Sequence, residues 1–315
     1  MALPPQSPVE SPMRGILLKL VSILCFVAMQ TAIKAAGDEV PAGEVVFFRS
    51  FFALLPVALY LAYLKGLTTA LRTDDLKGHL WRGFIGVTSM VLGFYSITKL
   101  PYPEWITINY ATPLITVVLA ALFLGETVRA YRWTAVAVGL CGVAVVTLPR
   151  FTIGGEALEA AEISGILAVL GSSMVAAIAM IQVRKLAQRE ATATIVLYFT
   201  LTSTFFSLFT VPFGWIATSP SQTALLVTAG ILGGIGQLLL TSAYRFADTS
   251  TIAPFEYSSL ILAIMIGAFL FAEPVSLWTV TGGAIVVAAG IFIIWRESRL
   301  GLERRKAQRA RTPGA

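Results

Sequence analysis

GILLKLVSILCFVAMQTAIKAA, residues 15–36, returns 150 positions later as GILAVLGSSMVAAIAMIQVRKL, residues 165–186. Gly15, Ile16 and Leu17 fall on Gly165, Ile166 and Leu167; Ser22 falls on Ser172, and Lys34 on Arg184. Further along, Tyr110 followed by LGE at 124–126 corresponds to Tyr257 followed by FAE at 271–273, now 147 positions apart. The chain therefore contains one unit twice, and both copies are built of apolar segments. Two similar membrane halves can rock about a site held between them, so the repeat speaks to function as well as fold.

Composition sets the solvent. Of 315 residues 57% are hydrophobic and 13% charged, with mean hydropathy +0.80. A soluble domain carries roughly a quarter charged residues. This chain has too little polar surface for water, so lipid is its main solvent. Runs long enough to cross about 30 Å of hydrocarbon occur near 15–35, 43–64, 80–99, 104–124, 131–149, 162–183, 192–216, 222–243, 251–272 and 277–295. The expected fold is an all-α integral membrane protein: ten transmembrane helices in two inverted five-helix repeats, 15–150 and 162–296. An odd number of spans per copy makes the second enter from the opposite face. Residues 1–14 read as a disordered cytoplasmic tail and 297–315 as a basic cytoplasmic tail. The first apolar run is too long for a signal peptide and reads as a retained span.

Charge fixes the orientation. With the N-terminus inside, eighteen basic residues fall on the cytoplasmic side, Arg72, Lys77, Arg82, Arg184 and Arg245 among them, and only Lys34, Lys99 and Arg150 outside. That positive-inside bias places both termini in the cytoplasm of a plasma-membrane protein. The net charge of +6 is concentrated in the tail, where it faces anionic lipid rather than nucleic acid. Cys25 and Cys141 lie in apolar runs and imply no disulfide framework. His79, the sole histidine, reads as part of a polar loop, which excludes a histidine metal cluster. There is no phosphate-binding GxxxxGK[ST], and no HExxH, CxxC or GxSxG, so neither ATP-driven pumping nor those catalytic chemistries are indicated. No cofactor or metal is expected, and the reading is of a non-enzyme. An intramembrane enzyme is the alternative of a different class, and it lacks a paired acid-base or nucleophile constellation.

The VVFFRSFFALLP block at 45–56, the YATPLITVVLAALFLGE run at 110–126, and the Trp133–Gly142 stretch echoed at Trp278–Gly290 resemble the EamA-type drug/metabolite transporters. That resemblance covers nearly the whole chain and implies two tandem five-span repeats. It also implies a small-molecule substrate bound near the midplane by spans 1, 3, 4, 6, 8 and 9. FFRSFF further resembles the riboflavin-uptake and S-adenosylmethionine-uptake branches, making riboflavin the leading named substrate. S-adenosylmethionine uptake and amino-acid or drug export are the alternatives. Phe205 stands where the second copy would carry Arg49, so any role of that Arg is asymmetric.

The candidate substrate residues are the polar and aromatic groups inside spans: Gln30, Arg49, Tyr95, Asn109, Tyr110, Gln182, Gln237, Tyr244, Glu256 and Tyr257. Arg49 is either an anion clamp or a brace between helices, and bracing is the commoner fate. Glu256, just after Pro254 and opposite Asn109 of the first copy, either binds a coupled proton or substrate cation, pairs with Arg49 or Arg245, or sits hydrated at the cytoplasmic interface. Asn109, Tyr110 and Tyr257 suit a flat ligand that stacks and hydrogen-bonds. Trp105 shares a face with Asn109, yet it and Tyr102 also fit an interfacial aromatic belt. Gln237 reads as glue between helices. Glu126 and Glu273 read as hydrated helix ends, with gating of opposite faces the alternative. Gly230 and Gly234 on span 8, and Gly83, Gly86 and Gly93 on span 3, mark close helix contacts. Direction of transport and oligomeric state are not written in these residues.

Overall fold

In the computed structural model, residues 11–63, 66, 70–124, 130–152, 160–187, 190–247 and 249–311 are described; some of their side chains, those of Tyr244 and Arg245 included, lie outside the description. The described chain is helical throughout: α1 Pro12–Ala36, α2 Ala42–Tyr63, α3 Leu76–Lys99, α4 Tyr102–Asn109, α5 Ala111–Leu124, α6 Ala130–Thr152, α7 Ala160–Ala187, α8 Thr192–Leu208, α9 Pro220–Phe246, the single turn α10 Thr249–Ile252, α11 Ser258–Leu270 and α12 Leu277–Arg311. Eight stretches are long and apolar enough to cross a bilayer, and Ala193–Leu208 and Pro254–Leu270 are shorter apolar helices. Large apolar side chains such as Leu59, Phe123, Leu167 and Phe269 are more than half exposed, as a lipid-facing surface requires. This is a multi-pass membrane protein.

The departures from the expected spans have local causes. The run at 192–216 gives a helix of only 17 residues, because Val211–Phe213 forms a 3-10 turn around Pro212 and Gly214 then takes φ 95°, which only glycine adopts freely. His79 is not in a loop. Asp75 caps α3, its side chain accepting from the Gly78 N–H at 2.9 Å, so the helix starts early and carries His79 into the interior, 1% exposed and stacked on Tyr198. Helix α12 runs on to Arg311 through the basic tail. The other tail, residues 1–10, lies outside the described residues.

The two central breaks fall at matching places. The fourth apolar run divides into α4 and α5 at Tyr110, and the ninth is interrupted by the 3-10 segment Ala253–Tyr257. Pro113 cannot donate to the Asn109 carbonyl, nor Pro254 to that of Ser250, so each proline frees one helical acceptor at its break.

Helices pack in antiparallel pairs: α1 along α9, α3 along α7, α6 along α12. Lipid is as apolar as leucine, so close backbone approach and hydrogen bonds do the work that water-driven burial does elsewhere. A Cβ on Gly15 would meet that of Ala247 at 2.5 Å, and one on Gly165 would meet the Lys99 and Leu100 side chains at 3.0 and 3.1 Å. Ser22 donates to the Gly236 carbonyl at 2.9 Å, and Ser172 to the Ser89 carbonyl at 2.8 Å. The duplicated Gly and Ser thus do one job twice, and their partners 236 and 89 stand 147 positions apart, as Tyr257 and Tyr110 do. On α9, Gly230 and Gly234 admit Phe52 and Pro56 of α2, while Gly236 admits Cys25 and Phe26 of α1.

Candidate functional site

The two broken helices face one another. Tyr110 and Tyr257 lie with ring centroids 5.2 Å apart. The Tyr110 hydroxyl donates to the Glu256 carbonyl at 3.2 Å and sits 2.5 Å from the Ser259 hydroxyl, which donates to the same carbonyl at 2.7 Å. Backbone irregularity at this depth is tolerated because hydroxyls from both halves take up the exposed acceptor. Tyr257 presses on α12: a Cβ on Gly290 would overlap its hydroxyl. Asn109, half-buried, closes α4 immediately before this contact.

Glu256 pairs with Lys19, and neither Arg49 nor hydration alone accounts for it. The carboxylate is 49% exposed, whereas the Lys19 side chain is 4% exposed, so the lysine is the group that depends on the pair. Lys19 had no sequence signal beyond being a lone cation inside an apolar run. Its counterpart in the second copy is Val169, and Glu256, itself in the second copy, corresponds to Asn109 of the first, so this pair between the copies has no symmetry-related equivalent.

Around α1 a second polar group forms. Gln30 accepts from the Tyr102 hydroxyl at 2.9 Å. Trp105 donates through Nε1 to Ser96 Oγ at 2.9 Å. Tyr102 and Trp105 are 0% and 4% exposed, which corrects the aromatic-belt alternative: both are interior. Glu273 is likewise no hydrated helix end. Lys34 reaches its Oε1 at 2.8 Å and donates to the carbonyls of Ile97 and Leu100, while Glu273 Oε2 accepts the Tyr102 N–H at 2.7 Å. One ion pair thus ties α1, the α3–α4 joint and the α11–α12 turn together. Glu126, its counterpart, lies outside the described residues.

Arg49 takes a third position. It is 7% exposed, its guanidinium carbon 5.8 Å from the Phe199 ring centroid of α8. Arg82 of α3 stacks on that same ring at 4.0 Å. Counted from the sequence as a cytoplasmic loop charge, Arg82 is instead a turn and a half into its helix. The phenylalanines beside Arg49 stack on one another, and Phe47 also on Trp215, so FFRSFF packs largely against itself and its neighbour. The remaining candidates stand apart. Tyr95 is 37% exposed on the α3–α7 seam with its hydroxyl 2.8 Å from that of Ser164. Gln182 and Gln237 are half-buried on α7 and α9. The Tyr244 side chain lies outside the described residues.

A many-helix membrane bundle with broken central helices and a polar, aromatic interior is the build of a solute carrier. The sequence profile of the EamA-like transporter family matches residues 13–148 and again residues 163–296. The chain belongs to that family and is a membrane transporter. It is similar to the pseudopaline exporter CntI of Pseudomonas aeruginosa, 28% identical over 88% of this chain and 94% of that one. The S-adenosylmethionine uptake transporter of Rickettsia felis is 27% identical over 92% of this chain and 95% of its own length. The riboflavin transporter of Vibrio cholerae is 27% identical over 91% and 95%. A solved crystal structure shares the fold with TM-score 0.62 at 18% identity, covering 91% of this chain and 99% of its own.

Proposed function

We propose that this protein is a secondary transporter of a small organic metabolite, working by alternating access in the plasma membrane. The observation that carries the reading is the meeting of Tyr110 and Tyr257 at two matching helix breaks. A site there lies between the halves, where rocking exposes it to one face and then the other.

The proposed architecture is ten spans in two inverted repeats, 15–150 and 162–296, with both termini cytoplasmic. In support, α8 is about 26 Å long at 1.5 Å per residue, nearly a span. The 3-10 segment plus α11 reaches about 30 Å. The α1–α9 packing is repeated as α7–α3, which a two-fold axis between the copies accounts for. On this reading Lys34–Glu273 closes the extracellular end. Reporter fusions active only outside the membrane should stay silent at both termini, and a signal at either would overturn the orientation.

Solute contact is proposed for Tyr110, Tyr257, Asn109, Gln30 and Arg49. Pseudopaline, S-adenosylmethionine and riboflavin, named for three relatives, are chemically unlike. The riboflavin expectation rested on FFRSFF, whose rings are engaged with one another. The decisive experiment is uptake of a labelled metabolite panel into sealed vesicles bearing the purified protein. A solute accumulated unchanged supports the carrier; a chemically modified product would support the intramembrane enzyme instead.

A coupled proton is an addition to this reading: bound to the Glu256 carboxylate, it would end the pairing with Lys19. Glu256→Gln should then abolish the pH dependence of net transport while leaving solute exchange intact. An unchanged pH profile would dismiss coupling through Glu256.

A further inference from the structure

Arg49 and Arg82 share one aromatic ring and, among the described residues, neither forms an ion pair. Among the described residues, buried Nε of Arg49, and buried Nε and a terminal nitrogen of Arg82, have no hydrogen-bond partner. A guanidinium carries five donors and does not shed its charge, so taking it from water without an acceptor is among the costlier arrangements a membrane bundle can hold. Here two guanidiniums, each with part of its donor set unmet, adjoin, and their like charges repel.

Their surroundings are cleared for them. Gly86 leaves room for Arg82 and Phe199: a Cβ there would collide with both. Gly233 leaves room first for Met29, whose Sδ an added Cβ would meet at 2.8 Å, and then for Arg49, whose Nε would lie 3.3 Å away. Ser203, one turn along α8 from Phe199, is fully buried, and its hydroxyl has no partner among the described residues. Their depth along the helices is also telling. Phe199 lies at the middle of α8 (Thr192–Leu208), Arg49 a little before the middle of α2 (Ala42–Tyr63), and Arg82 before the middle of α3 (Leu76–Lys99). All three therefore lie well inside their helices and not at the ends. Bracing would be better served by a carboxylate, and the bundle supplies carboxylates elsewhere, to Lys19 and Lys34.

We propose that the carried solute is an anion, presenting a carboxylate or phosphate to Arg49 and Arg82 beside Phe199. The solute supplies the missing acceptors, which gives the carrier its preference for loaded over empty passage through the membrane centre. The inference rests on the carrier reading above for its role in transport; as a binding site it stands on these residues alone. It argues against riboflavin, which presents neither group.

Binding is tested on the full-length protein in neutral detergent, following its thermal midpoint with a panel of mono-, di- and tricarboxylates, inorganic phosphate and phosphate esters. Matched amides and alcohols at equal ionic strength serve as controls. At least one anion should raise the midpoint, and Arg82→Gln should weaken its affinity about tenfold or more, with partial recovery in Arg82→Lys. Without ligand, Arg82→Gln should be at least as stable as the parent, because it removes an unpaired buried charge; a brace would lose stability. An equal midpoint response in Arg82→Gln, or no response to any anion, would overturn the site. Stabilisation by phosphatidylglycerol vesicles alone would assign the guanidiniums to lipid and overturn the solute proposal. Vesicle uptake separates this from the wider reading. Transport of only neutral or cationic solutes, unaffected by Arg82→Gln, sinks the anion site and spares the carrier. Anion binding with no uptake of any solute sinks the carrier and spares the site.

Discussion

The α1–α9 seam and the α7–α3 seam are the same joint built twice, and they differ in one respect. Each has a glycine for close approach and a serine bonded to a carbonyl across the seam: Gly15 with Ser22 in one, Gly165 with Ser172 in the other. Only the first sets a buried cation between the glycine and the serine. Lys19 reaches Glu256 there, whereas Val169 and Asn109 stand in the corresponding places of the second. Duplication preserved what holds helices together in lipid, small residues and interhelical hydrogen bonds. The charged groups are free of that constraint and have diverged. What sets one solute apart from another is therefore to be sought where the halves disagree.

The largest effect should come from breaking the shared feature. Gly15→Leu must displace the Ala247 Cβ and nearby backbone, whereas Gly165→Leu meets only side chains at 3.0 to 3.4 Å. Both should lower membrane abundance, Gly15→Leu the more, at a cost of about 3 kcal/mol against about 1. Equal loss, read by quantitative immunoblot and thermal midpoint, would show that the seams are not separately adjustable.

Next comes the feature they do not share. Glu256→Gln leaves the Lys19 ammonium buried without its counter-charge, a loss of about 2 kcal/mol given the half-exposed carboxylate. Lys19→Val alone strands only a half-hydrated carboxylate and should cost less. The double change Lys19→Val with Glu256→Asn gives each position the residue of its counterpart in the other copy and should recover most of the stability. If the double variant is no better than Glu256→Gln, the pair is not what Lys19 needs.

A smaller difference lies in the turn after α11. Ala272 holds φ 51°, a left-handed conformation that costs an L-residue about 1–2 kcal/mol, where the first copy has Gly125. Ala272→Gly should gain up to about 1 kcal/mol, and a loss would mean the methyl packs usefully.

The smallest concerns Asp38 with Lys99, 2.8 Å apart near Lys34 and Glu273, with no counterpart pair among the described residues of the second copy. The Lys99 hydrogen bond and charge hold the Asp38 carboxyl below its ordinary range. A lowered folded value means any stabilisation is present above the unfolded pKa and fades as pH falls through the folded one. Since the carboxylate is 59% exposed, Asp38→Asn should leave the midpoint at neutral pH unchanged within error. A clear drop would make this pair, like Lys34–Glu273, a working part of that end.

Much of the molecule was legible before any fold was known. Helix content, the apolar runs, the repeat and the membrane setting follow from composition and periodicity, because a bilayer forces every backbone group into local pairing. Tyr110, Tyr257 and the breaking prolines could be picked out because one residue's conformational limits act within its own turn. The partners of charges could not. Lys19 reaches across 237 positions to Glu256, Lys34 reaches Glu273, and Arg82 joins Arg49 on Phe199. Each depends on which faces of distant helices the packing turns towards each other, and glycine clearances at Gly86, Gly233 and Gly15 set that. Local rules write the helices into the sequence; only close packing between helices decides which buried charge meets its opposite, and which is left waiting for a ligand.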